Sequence, residues 1–256
     1  MNALMNARLP MAVSVMQEGY HINERSCYLF VLCYNRLMAA SAKALARSSV
    51  PRRQARGIRT REAILERAVD ISSVHGLDGL TVGHLADALH MSKSGLFAHF
   101  GSKEELQLAT IDTARRIFIE RVVRPAFEAP KGMPRLWKLI HLWISYVEKR
   151  VFSGGCFFTA ASFEFDSRRG AVRDRIALVM REWIDVLTRA VQEAQRAGHI
   201  LPKIDAASLA HELHAIAIGA HWAEQLLDDR RAYARSLTIS RKMLARVATR
   251  KSPALG

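Results

Sequence analysis

Residues 81–100 read Thr81-Val82-Gly83-His84-Leu85-Ala86-Asp87-Ala88-Leu89-His90-Met91-Ser92-Lys93-Ser94-Gly95-Leu96-Phe97-Ala98-His99-Phe100. Val82, Leu85, Ala86 and Leu89 fall at i, i+3, i+4 and i+7, the apolar stripe of a short helix with one buried face. Thr81 stands ahead of it as an N-cap, because its hydroxyl can accept from a free N–H of the first turn. His90 and Met91 separate this helix from Ser92, a second N-cap, after which Leu96, Phe97 and Phe100 supply a second apolar stripe. Two short helices about three residues apart predict a helix-turn-helix, whose second helix enters the major groove of DNA. Between its apolar anchors that second helix keeps Ser92, Lys93, Ser94, Gly95 and His99 small or polar. An ordinary helical hairpin has the same spacing, so the flanks carry the decision.

Upstream, the pattern predicts a helix over Thr60–His75 with Ile64, Leu65, Ala68, Val69 and Ile71 on its buried side. It stops at Gly76, which tolerates the left-handed angles of a helix C-terminus. Downstream, Gly101 breaks the chain and Ser102-Lys103-Glu104-Glu105 reads as a capping box opening a further helix. This run, from Thr60-Arg61-Glu62-Ala63-Ile64-Leu65 through the Lys-Ser-Gly-Leu-Phe-Ala-His-Phe core to Leu106, resembles the N-terminal domain of the TetR/AcrR family of bacterial transcriptional repressors. The resemblance covers residues 58–118. It implies an all-α fold, with an N-terminal three-helix DNA-binding domain carrying the helix-turn-helix, then a larger helical bundle over 119–250 for ligand binding and dimerisation.

The same resemblance implies DNA contacts at Thr81, Ser92, Lys93, Ser94, Gly95, Phe97, His99 and Lys103, with Leu96 and Phe100 holding the recognition helix in place. Two positions depart from the family's pattern. The inter-helix turn carries His90 where the family often has glycine; a left-handed backbone there costs a non-glycine residue about 1 kcal/mol. Phe97 stands where the family often has tyrosine; it keeps the packing and loses the hydroxyl that bonds a phosphate.

The chain has 256 residues, 50% of them hydrophobic, which is enough for two domains with real cores. Few glycines and prolines beside abundant Ala, Leu, Arg and Glu point to helices. A net charge of +14 implies an anionic partner. Its distribution is sharper. Lys43, Arg47, Arg52, Arg53, Arg56, Arg59 and Arg61 follow one another with no acid between them, whereas residues 59–127 balance both signs. Residues 38–57 therefore read as a basic arm placed ahead of the motif to grip phosphate or a minor groove, with Arg56 and Arg59 as contacts. Residues 1–37 carry two of the three cysteines and no clear helical period. They read as an extension foreign to the fold, with Met38 as the natural start.

Cys27, Cys33 and Cys156 are too scattered for a disulfide framework or a metal site. His211, His214 and His221 lack the companions of a metal motif, so neither metal nor cofactor is expected. No stretch approaches the ~20 apolar residues that span a bilayer, and the expected compartment is the cytoplasm. No nucleophile elbow, phosphate loop or paired acid and base is present, which argues against an enzyme.

In the C-terminal half, helices are expected over Lys103–Arg124 ending at Pro125, from Pro134 to Val151, and over Cys156–Phe165, Ala171–Ala197, Ala206–Leu227 and Arg231–Arg246. Leu209, Leu213, Ala217 and Ala220 form a face with small residues that suits a partner helix. The family builds its dimer from its last two helices, and the homodimer interface is expected there. The aromatic residues concentrate in the middle of the chain. Either they are bundle core, or some of them line a cavity for a small apolar or aromatic effector, as the family's pocket would imply; the expected lining is Trp137, His141, Phe157, Phe158, Phe163 and Trp183. Cys156, Glu164 and His214 are further candidate polar contacts. The leading expectation is a ligand-responsive repressor that binds a palindromic operator as a homodimer; the alternative is a constitutive or architectural DNA-binding protein without an effector.

Overall fold

The computed structural model describes residues 52–255. The expected extension over 1–37, Cys27, Cys33 and most of the basic segment 38–57 lie outside the described residues. Helix α1 spans Arg52–His75, α2 Val82–Leu89, α3 Lys93–Phe97 and α4 Lys103–Phe118. A π-helical segment, Ile119–Val123, carries α4 into the short α5, Arg124–Phe127. The bundle continues with α6 (Met133–Glu148), α7 (Phe157–Phe165), α8 (Ala171–Arg196), α9 (Ala206–Leu227) and α10 (Ala232–Val247). The described residues contain no strand, only one isolated bridge between Ile200 and Ala248 that ties the α8–α9 loop to the end of α10.

Helix α1 starts eight residues ahead of the expected Thr60, so Arg52, Arg53, Arg56 and Arg59 are helical. Its expected stripe is the packed face: Ile64, Leu65, Ala68, Val69 and Ile71 are buried. Gly76 ends it with φ at +80°.

The helix beginning at Lys103 does not stop at Pro125. Proline lacks an N–H, and within an α-helix its ring meets the carbonyl four residues back, here that of Arg121. The chain widens by one residue per turn instead: the Arg124 N–H bonds to the carbonyl of Ile119, five residues earlier. Pro125 then falls in the first turn of α5. A π segment is a recognised way to absorb such an interruption.

Helix α6 is the axis of the bundle. Leu136, Leu139, Ile140, Trp143, Ile144 and Val147 are all buried, and α6 packs on α8, α10 and the π segment. Arg135 is buried too, and bonds Glu193 at 3.0 Å and the carbonyls of Phe127 and Ala129. A buried guanidinium needs such partners, since an unpaired one would cost several kcal/mol on the order-of-magnitude scale of ion desolvation. Helix α4 is tied to α8 by Arg115–Glu182 at 2.8 Å and by Arg175–Asp112.

Candidate DNA-reading surface and bundle cavity

The motif folds as its caps dictate. The Thr81 hydroxyl accepts from the His84 N–H at 3.1 Å, and the Ser92 hydroxyl accepts from the Gly95 N–H at 3.1 Å. Between them His90 takes φ 52° and ψ 39°, the left-handed conformation. Met91 N–H then bonds back to the Ala86 carbonyl at 2.9 Å and His90 N–H to that of Asp87 at 3.3 Å, the paired reverse bonds of a Schellman turn. Leu85, Ala86, Leu96 and Phe100 are buried beneath the motif. The Arg61 guanidinium of α1 lies 5.0 Å from the centre of the Phe100 ring.

Over this base, Thr81, Ser92, Lys93 and Ser94 are exposed, and Gly95 and His99 are half-buried. Arg56 and Arg59 are exposed on α1. The side chain of Phe97 lies outside what the structure describes. Lys93 reaches across to the first turn of α2: a Cβ placed on Gly83 would lie 3.7 Å from its Cε and 3.8 Å from its Nζ. The starts of α2 and α3 therefore form one surface. His84, which the sequence reading passed over, is exposed in that first turn of α2. Its position off the Val82–Leu89 stripe was the available signal.

Lys103, expected to meet DNA, opens α4 with its side chain half-exposed. Its ammonium is engaged by Asp78, through the carbonyl at 2.6 Å and the carboxylate at 3.0 Å. Asp78 also pairs with Arg168 at 2.9 Å. Hydrogen bonds from Lys103 and then Arg168 hold the Asp78 carboxyl below its ordinary range. Ser102 accepts from the Glu105 N–H, while the Glu105 carboxylate takes the N–H of Gly101, one residue ahead of the cap.

The residues expected to line a ligand pocket differ in burial. Phe163 is 61% exposed, and His141 is exposed as well. Partial desolvation, then Lys138, Lys149 and Arg241, push the His141 imidazole below its usual range. Trp137, Phe157, Phe158 and Trp183 are buried as packing. Trp183 meets Phe118 and Trp143 edge-on at 5.0 and 5.2 Å, Phe157 meets Phe158 at 5.1 Å, and Trp137 carries the Arg241 guanidinium at 5.1 Å. Such edge-on contacts let these rings pack closely against one another.

A small cavity of about 10 Å³ lies elsewhere, lined by Trp143, Ile144, Val147, Cys156, Thr159, Ala217, His221 and Tyr233. Such a volume holds about one water. Its polar wall is neutral: burial pushes the His221 imidazole down and the Tyr233 phenol up. Of the polar candidates, Cys156 is on the wall, while Glu164 points to the loop between α1 and α2.

The expected dimer face is also corrected. Leu209, Leu213, Ala217 and Ala220 are buried within the chain's own bundle, where α9 packs on α8 and α10. The outer side of α9 presents Ala215, Gly219, Trp222 and Leu226, at i, i+4, i+7 and i+11. Trp222 is 53% and Leu226 65% exposed, and Ile239 of α10 is exposed too. Helix α9 is thus apolar on two faces, and its sequence alone did not say which one faces inward.

Two family models match the chain. The model of bacterial regulatory proteins of the tetR family matches residues 64–110, across the helix-turn-helix. That of the tetracyclin repressor-like C-terminal domain matches residues 132–239, across the bundle. The chain belongs to the TetR family of transcriptional regulators.

Among curated TetR-type relatives, it is 34% identical over 79 residues to the transcriptional regulator TcmR of Streptomyces glaucescens, covering 30% of this chain and 35% of that protein. It is 42% identical over 96 residues to the transcriptional repressor AcnR of Corynebacterium efficiens, covering 34% and 50%. The matches thus span a third to a half of the curated relatives' lengths. A TetR regulator from Chloroflexus aurantiacus superposes with a TM-score of 0.70 at 26% identity, over 75% of this chain and 98% of that one. Among the described residues no helix is long and apolar enough to cross a membrane, and no cluster of His, Cys, Asp or Glu is placed to hold a metal ion.

Proposed function

We propose that this TetR-family regulator is a repressor that binds a palindromic operator as a homodimer and is released by a small, largely apolar effector. The observation that carries the reading is the exposed surface made by the starts of α2 and α3, with Lys93 beside Gly83. Thr81, Ser92, Lys93, Ser94, Gly95 and His99 would face DNA from residues 58–118, with Arg56 and Arg59 on flanking phosphates. Lys103 would orient the motif through Asp78 and need not touch the backbone.

The exposed stripe Ala215–Gly219–Trp222–Leu226 with Ile239 supports a dimer built on the outer faces of α9 and α10. Two heads related by a two-fold axis would read two half-sites. The effector would enter the bundle at the cavity beside Cys156, Thr159, His221 and Tyr233. Because the cavity holds about one water, entry would displace side chains, and the neutral wall suits an uncharged molecule. The small volume also favours the second reading, a constitutive DNA binder without an effector.

Selection from a random-sequence duplex pool tests the first part. The enriched sequence should be an inverted repeat, protected symmetrically in a footprint. Failure to enrich any sequence over sheared genomic DNA would overturn it. A broad screen of uncharged aromatic compounds, read by tryptophan fluorescence and loss of the enriched duplex, separates the two readings.

A further inference from the structure

Glu164 belongs to α7, in the bundle, yet its carboxylate lies on the DNA-reading domain. One oxygen accepts from the Leu77 N–H at 2.7 Å and the other from the Asp78 N–H at 2.8 Å. These amides follow Gly76, whose φ of +80° turns successive N–H groups toward one point. Consecutive N–H groups in such a turn make a concave anion site. The fit is close: a Cβ on Gly76 would stand 3.0 Å from the Glu164 Oε1.

The loop that receives Glu164 leads straight to Thr81, the N-cap of α2. Its other groups are held as well. The Leu77 carbonyl accepts from Gln107 of α4 at 3.0 Å, and Leu77 and Leu80 are fully buried. The Asp78 carboxylate is held by Lys103 and by Arg168, four residues beyond Glu164. The loop ahead of α7 docks on the same helix end: Ser153 N–H bonds Asp70 at 2.8 Å and Gly154 N–H bonds Ser73 Oγ at 3.0 Å. Gly154 lies so close that no side chain fits there, since a Cβ would overlap the Ser73 carbonyl.

We infer that Glu164 is a positioning residue for DNA reading: a carboxylate supplied by the bundle completes the α1–α2 loop and fixes the angle at which α2 and α3 meet DNA. It touches no base or phosphate. It acts through the Leu77 and Asp78 amides. The inference rests on the reading of the α2–α3 surface as the DNA contact, and enrichment of a duplex by the wild-type chain tests that reading first. Only the comparison of variants then tests Glu164.

The test uses the full chain and the duplex it enriches, with sheared genomic DNA as the non-specific reference. Two charge-assisted bonds are lost in Glu164→Ala, and affinity for the enriched duplex should fall roughly tenfold to a hundredfold. Affinity for sheared DNA should stay near wild type, because the phosphate-facing cations are untouched. Glu164→Gln can still accept from one amide and should recover part of the loss. Amide hydrogen exchange at Leu77 and Asp78 should quicken in the alanine variant. An unchanged ratio of enriched to sheared affinity in either variant would overturn the inference, and so would equal loss on both DNAs. If the alanine variant fails to fold, the glutamine variant decides alone.

Discussion

Trp143 and His214 stack face to face, with ring centroids 5.3 Å apart and planes 19° from parallel. His214 is buried and its Nε2 has no hydrogen-bond partner among the described residues. Burial, then the nearby His211, hold its pKa down to about 4. The folded chain thus keeps this imidazole neutral while the unfolded chain protonates it near the ordinary value of about 6.5. The stability it contributes is complete above that value and is lost as pH falls from there toward about 4. The full loss is on the order of 3 kcal/mol, and His221 shifts in the same direction. Melting temperature should therefore drop through this window. His214→Phe, which keeps a ring against Trp143, should flatten the drop; an unaltered pH profile in that variant would refute the assignment.

His90 bears the left-handed turn that glycine adopts freely. Its side chain is exposed, so replacement removes no packing. His90→Gly should raise unfolding free energy by about 1 kcal/mol, less whatever the freer unfolded chain takes back. Chemical denaturation reads this directly, and a lower midpoint in the variant would mean that His90 makes a contact the strain argument omits.

The two faces of α9 make opposite predictions. Leu226→Glu, on the outer face, should dissociate a dimer in analytical ultracentrifugation while leaving the fold intact. Leu213→Ala, on the inner face, should cost about 2–5 kcal/mol of stability and leave association unchanged where the chain stays folded. A dimer that survives Leu226→Glu would move the interface off this stripe.

Much of this arrangement was legible in residues 60–106, where the three caps and most of the apolar stripe positions agree with the structure. Thr81, Ser92 and Ser102 each cap the helix they precede, and Leu85, Ala86, Leu96 and Phe100 are buried. The bundle was less legible for a physical reason: periodicity shows that a residue is apolar, not which neighbour covers it. Phe163 and Leu213 look alike in sequence, yet one is exposed and the other fully buried. Pro125 misled because a π segment, invisible in composition, carries the helix past it. Glu164 stood only as one of several candidate polar contacts, because its partners are main-chain amides some 86 residues away.

The central claim is that the start of α3 reads DNA, and Lys93 tests it most directly. Lys93 is exposed, and its removal leaves Leu96 and Phe100 packed. Equilibrium binding of Lys93→Ala to the duplex enriched by the wild-type chain should weaken by about 1–3 kcal/mol, with an unchanged melting temperature. If the variant binds that duplex as tightly as wild type at the same salt concentration, Lys93 does not face DNA and the reading surface has been misplaced.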